Sequence, residues 1–267
     1  METMGVELPT DHPGVSDPEY LRRRSTIADA SRDHVAGSKP RTIEYTPSER
    51  AVWSTVLGSL SELHQSYATA EYRLGAAAME LPTDRIPQLA DVSDRLSDLT
   101  GWTVEAVPGL VPTRTFYAAL ANRTFLSTQY VRHPSVPFYT PEPDIIHELI
   151  GHINALASPR LASLHEAAGQ ASLRATTDAG LQRFSRVFWF TLEFGVTLES
   201  DQLRTYGAGL LSSYGEIQSF RDAEVRPFET NAMADQDYDI TAFQNVLFGG
   251  ASFDAVETVL LDYFASI

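Results

Sequence analysis

The stretch Tyr139-Thr140-Pro141-Glu142-Pro143-Asp144-Ile145-Ile146-His147-Glu148-Leu149-Ile150-Gly151-His152 decides how this sequence is read. Two prolines stop an extended segment, and Pro143 suits the first turn of a helix that carries His147. The two histidines are five residues apart, about 500° around a straight α-helix at about 100° per residue. That splays them by roughly 140°, whereas the four-residue spacing of zinc proteases keeps both rings on one face. They meet only if the helix ends or bends between them, and Gly151 is a residue type that permits an ending. On this segment alone, His147 and His152 are either metal ligands or ordinary polar residues at a helix end.

A third ligand is found in Val187-Phe188-Trp189-Phe190-Thr191-Leu192-Glu193-Phe194-Gly195-Val196. This window is apolar on nearly every side, so its helix should be buried and Glu193 with it. Proteins avoid burying a carboxylate unless the charge is paired or bound to a metal. A salt bridge to a core arginine stays open as the alternative. Two imidazoles and one carboxylate form the facial set that leaves open positions on a non-haem Fe(II), although zinc accepts the same ligands. Asp144 suits either a hydrogen bond to the second nitrogen of His147 or a place at a helix N-terminus.

Composition narrows the chemistry. The 267 residues hold 20 Lys+Arg against 35 Asp+Glu, a formal charge of −15, which disfavours nucleic acid and anionic membrane surfaces as partners. There is no Cys, so disulfides, thiolate zinc sites, iron–sulfur clusters and a cysteine nucleophile are excluded, and any metal must rest on N and O donors. No apolar run approaches the ~18 residues of a membrane span. Residues 1–14 lack the basic start and apolar stretch of a signal peptide, so a cytoplasmic enzyme is expected.

Residues 1–47, punctuated by Pro9, Pro13, Pro18, Pro40 and Pro47, read as an extended arm packed on the core. Residues 48–267 read as a helical catalytic domain, with one structural domain overall. Val52, Trp53, Val56, Leu57, Leu60 and Leu63 fall at helical spacing behind Pro47-Ser48-Glu49. Ile86, Leu89, Val92, Leu96 and Leu99 mark another helix, with Pro87 in its first turn and Gly101 at its end. A C-terminal stripe of Phe253, Val256, Val259, Leu260, Tyr263 and Phe264 follows Ser252 as N-cap. Strand text is scarce, with residues 102–107 and 204–206 the best candidates. The expected fold is mostly α with a little β, its site built between helices.

Several runs, in order, resemble the tetrahydropterin-dependent aromatic amino acid hydroxylases. They are Thr128-Gln129-Tyr130-Val131-Arg132-His133-Pro134, residues 139–152, Phe188-Trp189-Phe190-Thr191-Leu192-Glu193-Phe194-Gly195, and Tyr206-Gly207-Ala208-Gly209-Leu210-Leu211-Ser212-Ser213-Tyr214-Gly215-Glu216. The similarity extends from Asp11-His12-Pro13-Gly14 through Ile86-Pro87-Gln88-Leu89 to the C-terminus. The chain resembles a free-standing catalytic domain of that family, which implies a monomer. Trp189 and the Ser212-Ser213 pair are more similar to the phenylalanine and tyrosine hydroxylases than to the tryptophan enzymes.

The resemblance implies Fe(II) held by His147, His152 and Glu193, with tetrahydropterin and O2 as co-substrates. It implies Arg132 at the substrate carboxylate, a role suited to a fork of donors. Tyr139, Thr140 and Ser212 would complete the amino-acid end of the pocket, and Trp189 and Phe194 would wall the ring. Phe116 would stack on the pterin, Gly109, Val111 and Thr113 would form the loop beneath it, and Glu148, among the catalytic residues, would reach it through water. The expected reaction is hydroxylation of L-phenylalanine to L-tyrosine. Alternatives are meta-hydroxylation of phenylalanine or attack on tryptophan, and, from another class, a zinc hydrolase with Glu148 as base. Two runs depart from the family. Ile153-Asn154-Ala155 stands where Val-Pro-Leu is usual, placing an amide near the metal-bearing turn, and Arg114-Thr115-Phe116-Tyr117 replaces Arg-Asp-Phe-Leu.

Overall fold

A computed structural model describes Leu8, Thr10 and the chain from His12 to Ile267. Residues 1–7, Pro9 and Asp11, which bear on the leader, arm and N-terminal resemblance readings, lie outside the described residues. The arm is not extended throughout, because Asp17-Pro18 starts a helix. The Asp17 carboxylate accepts from the Glu19 and Tyr20 backbone N–H groups, Pro18 stands in the first turn, and α1 runs Pro18–Arg32. The proline read as a breaker is an initiator. The arm docks through Arg23, which grips Glu49 at 2.8 and 2.9 Å, and through the Tyr45 hydroxyl, which donates to the Gln129 carbonyl at 3.0 Å.

Helix α2 (Pro47–Tyr67) opens on a reciprocal capping box between Thr46 and Glu49 and buries Val52, Trp53, Val56, Leu57 and Leu60, the face set by the apolar spacing. Next come α3 (Ala70–Met79) and α4 (Leu89–Thr100). Pro87 falls outside α4, because Gln88 takes the N-cap position and its side chain holds both backbone groups of Ile43, at 2.8 and 3.0 Å. Strands β1 (Thr103–Ala106) and β2 (Thr124–Ser127) pair in parallel around α5 (Thr113–Leu120).

The rest of the chain forms α6 (Asn154–Leu156), α7 (Pro159–Arg174), α8 (Asp178–Phe188), β3 (Val196–Glu199), β4 (Gln202–Thr205), α9 (Ala208–Ser212), α10 (Glu216–Ser219), β5 (Glu224–Pro227), α11 (Thr230–Asp235), β6 (Val246–Gly250) and α12 (Phe253–Ser266). A four-stranded sheet has the order β4-β3-β6-β5, with β3 and β4 antiparallel and the other pairs parallel. The balance is mostly helical, as the sequence reads. The main core gathers Trp53, Leu60, Tyr72, Trp102, Phe125, Phe184, Phe190, Phe248 and Phe264, and α12 packs on α7, burying Val256, Leu260 and Phe264 of the apolar stripe while Val259 of that stripe is exposed. Among the described residues no helix is long and apolar enough to cross a membrane.

Candidate functional site

The helix carrying the histidines opens at Asp144, one residue beyond Pro143. The Asp144 carboxylate accepts from His147 N at 3.1 Å and its carbonyl from Glu148 N at 3.0 Å. It does not end at Gly151. Residues His147–Ile153 form a π-turn, with the Asn154 N–H reaching the Leu149 carbonyl, and the chain continues into α6. Rungs five residues long place residues five apart above one another, so the spacing that splays two histidines on an α-helix aligns them here. The result is an Nε2–Nε2 distance of 3.1 Å. Gly151 serves packing instead, since a Cβ there would lie 2.7 Å from the Ala208 carbonyl oxygen of α9.

The second apolar helix does the same. Residues Trp189–Glu193 are π-helical, and Phe194 N donates to the Trp189 carbonyl at 2.8 Å. This turn brings Glu193 Oε1 to 3.3 Å from His152 Nε2. The Glu193 side chain keeps 14% exposure, so it faces a cleft, and its charge partner is His152 in place of a core arginine. Behind it, a Cβ at Gly195 would overlap the Thr191 carbonyl oxygen and the Tyr206 ring.

The donor set fits a metal ion. Neighbouring ligands at about 2.1 Å from a common ion stand about 3 Å apart, close to both distances around His152 Nε2. Glu148 is a rival carboxylate, because one ligand atom from each of His147, Glu148 and His152 lies within 4.8 Å of the others. Its Oε1, however, accepts from both Thr128 N and Thr128 Oγ1 at 3.3 Å, and burial pushes its carboxyl up to about 7. Desolvation also works to raise the half-buried Glu193, yet the facing His152 holds it down at about 2, as an anion. Burial and the neighbouring His152 push His147 down to about 4, leaving a neutral imidazole with a lone pair to give. Of the two carboxylates, Glu193 is the one whose charge and position suit a cation beside His152, with Glu148 next to it.

Asp144 does not serve the second nitrogen of His147. That place belongs to Ser212, whose Oγ lies 2.7 Å from His147 Nδ1 and donates to the Ala208 carbonyl at 2.8 Å. Asp144 instead clamps Arg132, taking Nε and Nη2 at 2.9 and 2.7 Å and the Arg132 backbone N–H at 2.8 Å. Complete burial works to raise the Asp144 carboxyl, but the guanidinium and these hydrogen bonds hold it below its ordinary value. The clamp fixes the guanidinium plane, Nη1 donates to the Pro137 carbonyl at 3.4 Å, and the second protons of Nη1 and Nη2 are the donors that remain for another carboxylate.

Trp189 and Phe194 stand together with ring centroids 4.6 Å apart. Tyr238 stacks on Trp189 at 4.3 Å, and the indole N–H donates to Gln244 Oε1 at 3.0 Å. Gln244 is fixed in turn, its backbone N–H donating to Glu216 Oε1 at 2.7 Å. Tyr238, Gln244 and Glu216 lie outside the sequence-based site, and an apolar wall with an indole N–H in need of an acceptor was the available signal. Among the described residues, no hydrogen bond or ring contact joins Tyr139 or Thr140 to this cluster. Tyr139 is 47% exposed, 6.1 Å from the His12 ring, and the Thr140 hydroxyl donates to the Glu142 carbonyl at 2.6 Å.

On the opposite side, half-buried Phe116 meets Phe125 edge-on at 5.9 Å, and Phe125 lies 4.8 Å from the His152 ring. This aromatic series links the expected pterin side to the histidines. Val111 packs with Val107, Leu126 and Phe116, Thr113 is exposed at the start of α5, and open space surrounds a Cβ built at Gly109. The Asn154 amide borders the π-turn but points towards α3, donating to the Tyr72 hydroxyl at 3.2 Å. His165, which the sequence reading did not single out, is buried on α7 with its ring centroid 6.2 Å from that of His152, and burial pushes it down to about 4.

Residues 1–267 match the family described as biopterin-dependent aromatic amino acid hydroxylase. The chain is 46% identical over 246 residues to a phenylalanine 3-hydroxylase of Streptomyces coeruleorubidus, covering 92% of this chain and 88% of that one. It is 46% identical over 213 residues to a chloroplastic phenylalanine 4-monooxygenase of Chlamydomonas reinhardtii, covering 80% of this chain but only 59% of the relative. Among solved structures, phenylalanine hydroxylase of Chromobacterium violaceum with bound iron(III) and 7,8-dihydrobiopterin superposes with a TM-score of 0.82 at 28% identity, covering 98% and 93% of the two chains. The chain belongs to the biopterin-dependent aromatic amino acid hydroxylases.

Proposed function

We propose that this chain hydroxylates the ring of L-phenylalanine at the 4-position, giving L-tyrosine, with iron held by His147, His152 and Glu193. The observation that carries the reading is the meeting at His152 Nε2, 3.1 Å from His147 Nε2 and 3.3 Å from Glu193 Oε1. Iron, when bound with tetrahydropterin, supplies the activation of O2 that ring hydroxylation requires. The protein's part is binding and orientation. The Arg132 protons that Asp144 and Pro137 do not take receive the substrate carboxylate, and Trp189 and Phe194 wall the ring. Phe116 offers its face to the pterin above the loop bearing Gly109, Val111 and Thr113. Glu148, with its carboxyl near neutrality, holds a proton beside the pterin pocket. Ser212 keeps the His147 ring in register, and Tyr139 and Thr140 belong to the rim of the amino-acid end.

A second reading, hydroxylation at the 3-position, is favoured by the 46% identity to the Streptomyces 3-hydroxylase over 92% of the chain. Protein given Fe(II), tetrahydropterin, O2 and phenylalanine should yield para-tyrosine by chromatography against ortho, meta and para standards, and meta-tyrosine would replace the first reading with the second. Glu193→Ala should abolish iron retention and turnover in a folded protein. Full activity in that variant would remove Glu193 from the centre.

A further inference from the structure

Two imidazole nitrogens behind the ligand set, His152 Nδ1 and His165 Nε2, have no hydrogen-bond partner in the protein. The two residues are 2% and 1% exposed, a depth at which an unmade hydrogen bond is costly. The rings are neighbours, with centroids 6.2 Å apart and planes at 85°. Other rings around the pair include Phe125, 4.8 Å from His152, and Phe188 and Trp102, 6.3 and 6.4 Å from His165, and none of them hydrogen-bonds either nitrogen.

The tautomers are complementary. His165 Nδ1 lies 2.8 Å from the Leu161 carbonyl, which only accepts, so Nδ1 carries the proton and Nε2 presents a lone pair. His152 directs Nε2 towards His147 and Glu193, so as a ligand through that atom it bears its proton on Nδ1. One unpartnered donor and one unpartnered acceptor therefore sit on adjacent rings that make no direct hydrogen bond. Two polar groups at such spacing are what a single buried water joins. We infer that His165 is a positioning residue for the metal centre, accepting the Nδ1–H of His152 through one buried water. It does for His152 what Ser212 does for His147, fixing tautomer and ring orientation. This inference rests on the proposed ligand set.

The test measures Co(II) binding to the full chain by chelator competition and visible absorption, for the parent, His165→Phe, His165→Gln and Glu193→Ala. His165→Phe should weaken affinity about 10–100-fold while the metal-free protein melts no lower than the parent. His165→Gln, which keeps an acceptor oxygen on a side chain of similar reach, should recover most of the loss. Unchanged affinity and spectrum in His165→Phe would overturn the inference, as would equal weakening in both variants with lowered melting, which would make the role one of packing. A high-resolution crystal structure of the parent adds a reading that needs no variant. Density for one water between the two nitrogens supports the bridge, and its absence overturns it. Co(II) binding by Glu193→Ala at parental affinity would instead sink the ligand set itself, whatever His165 does.

Discussion

From Glu148 to Ile153 every residue of the first π-turn is buried, whereas from Gln236 to Asn245 none is, with Ile240 61% and Phe243 55% exposed. Both segments serve one cleft. The first brings two ring nitrogens together and is pressed from behind by the Ala208 backbone against Gly151, as the π-turn at Trp189–Glu193 is by the Thr191 carbonyl and the Tyr206 ring against Gly195. The second shapes the ring pocket through a few side chains, Tyr238 and Gln244 on Trp189. The packing around the two π-turns thus tolerates almost no added volume, whereas the cover on Trp189 rests on contacts that can be exchanged one at a time.

The sharpest way to break this contrast is Gly195→Ala. The added methyl meets the Thr191 carbonyl and the Tyr206 ring, and the loss should exceed about 4 kcal/mol or prevent folding, read by denaturant unfolding or soluble yield. A loss below about 1 kcal/mol would show that the centre yields as readily as the cover. Asp144→Ala comes next. It leaves the Arg132 guanidinium buried without its partner, for which about 3–5 kcal/mol is expected from the urea midpoint.

The smallest effect joins the two regions, since Glu216 of α10 holds the Gln244 backbone and burial pushes its carboxyl up to about 7. A carboxyl raised in the fold binds its proton more tightly there than in the unfolded chain. Its contribution is therefore complete below the ordinary carboxyl range and fades as pH rises towards 7. Unfolding measured across that interval should show parental stability falling with pH, with a shallower fall in Glu216→Gln. Parallel curves would place the titration elsewhere.

The proposed ligands stand out in the sequence because imidazoles and a carboxylate inside apolar text need a reason to be there. How they meet does not, since a π-turn is a pattern of backbone hydrogen bonds with no side-chain signature, and Gly151 serves as well for a close approach as for an ending. The partners of the ligands were hidden for another reason. Ser212 lies 65 residues from His147, and whether it or Asp144 takes the imidazole depends on the path of α9. Asp144 found a better match in Arg132, because a planar fork and a carboxylate make two parallel bonds where an imidazole makes one. The start of α1 was legible and misread, as Asp17-Pro18 is a cap and first-turn signal as well as a break. The short strands of the four-stranded sheet, β5 with its two charged residues and β6 ending in two glycines, carry too little alternation to announce themselves.

The register of the two π-turns also makes the centre sensitive to counting. Dropping a single amino acid from between His147 and His152 would let that helix relax to its regular rise and would bring the imidazoles four apart, the interval at which an undistorted helix already aligns them. The same excision before Glu193 would rotate the carboxylate away from the pair. Changes in chain length at these two places, more than changes of residue type, decide whether the three side chains still share a point.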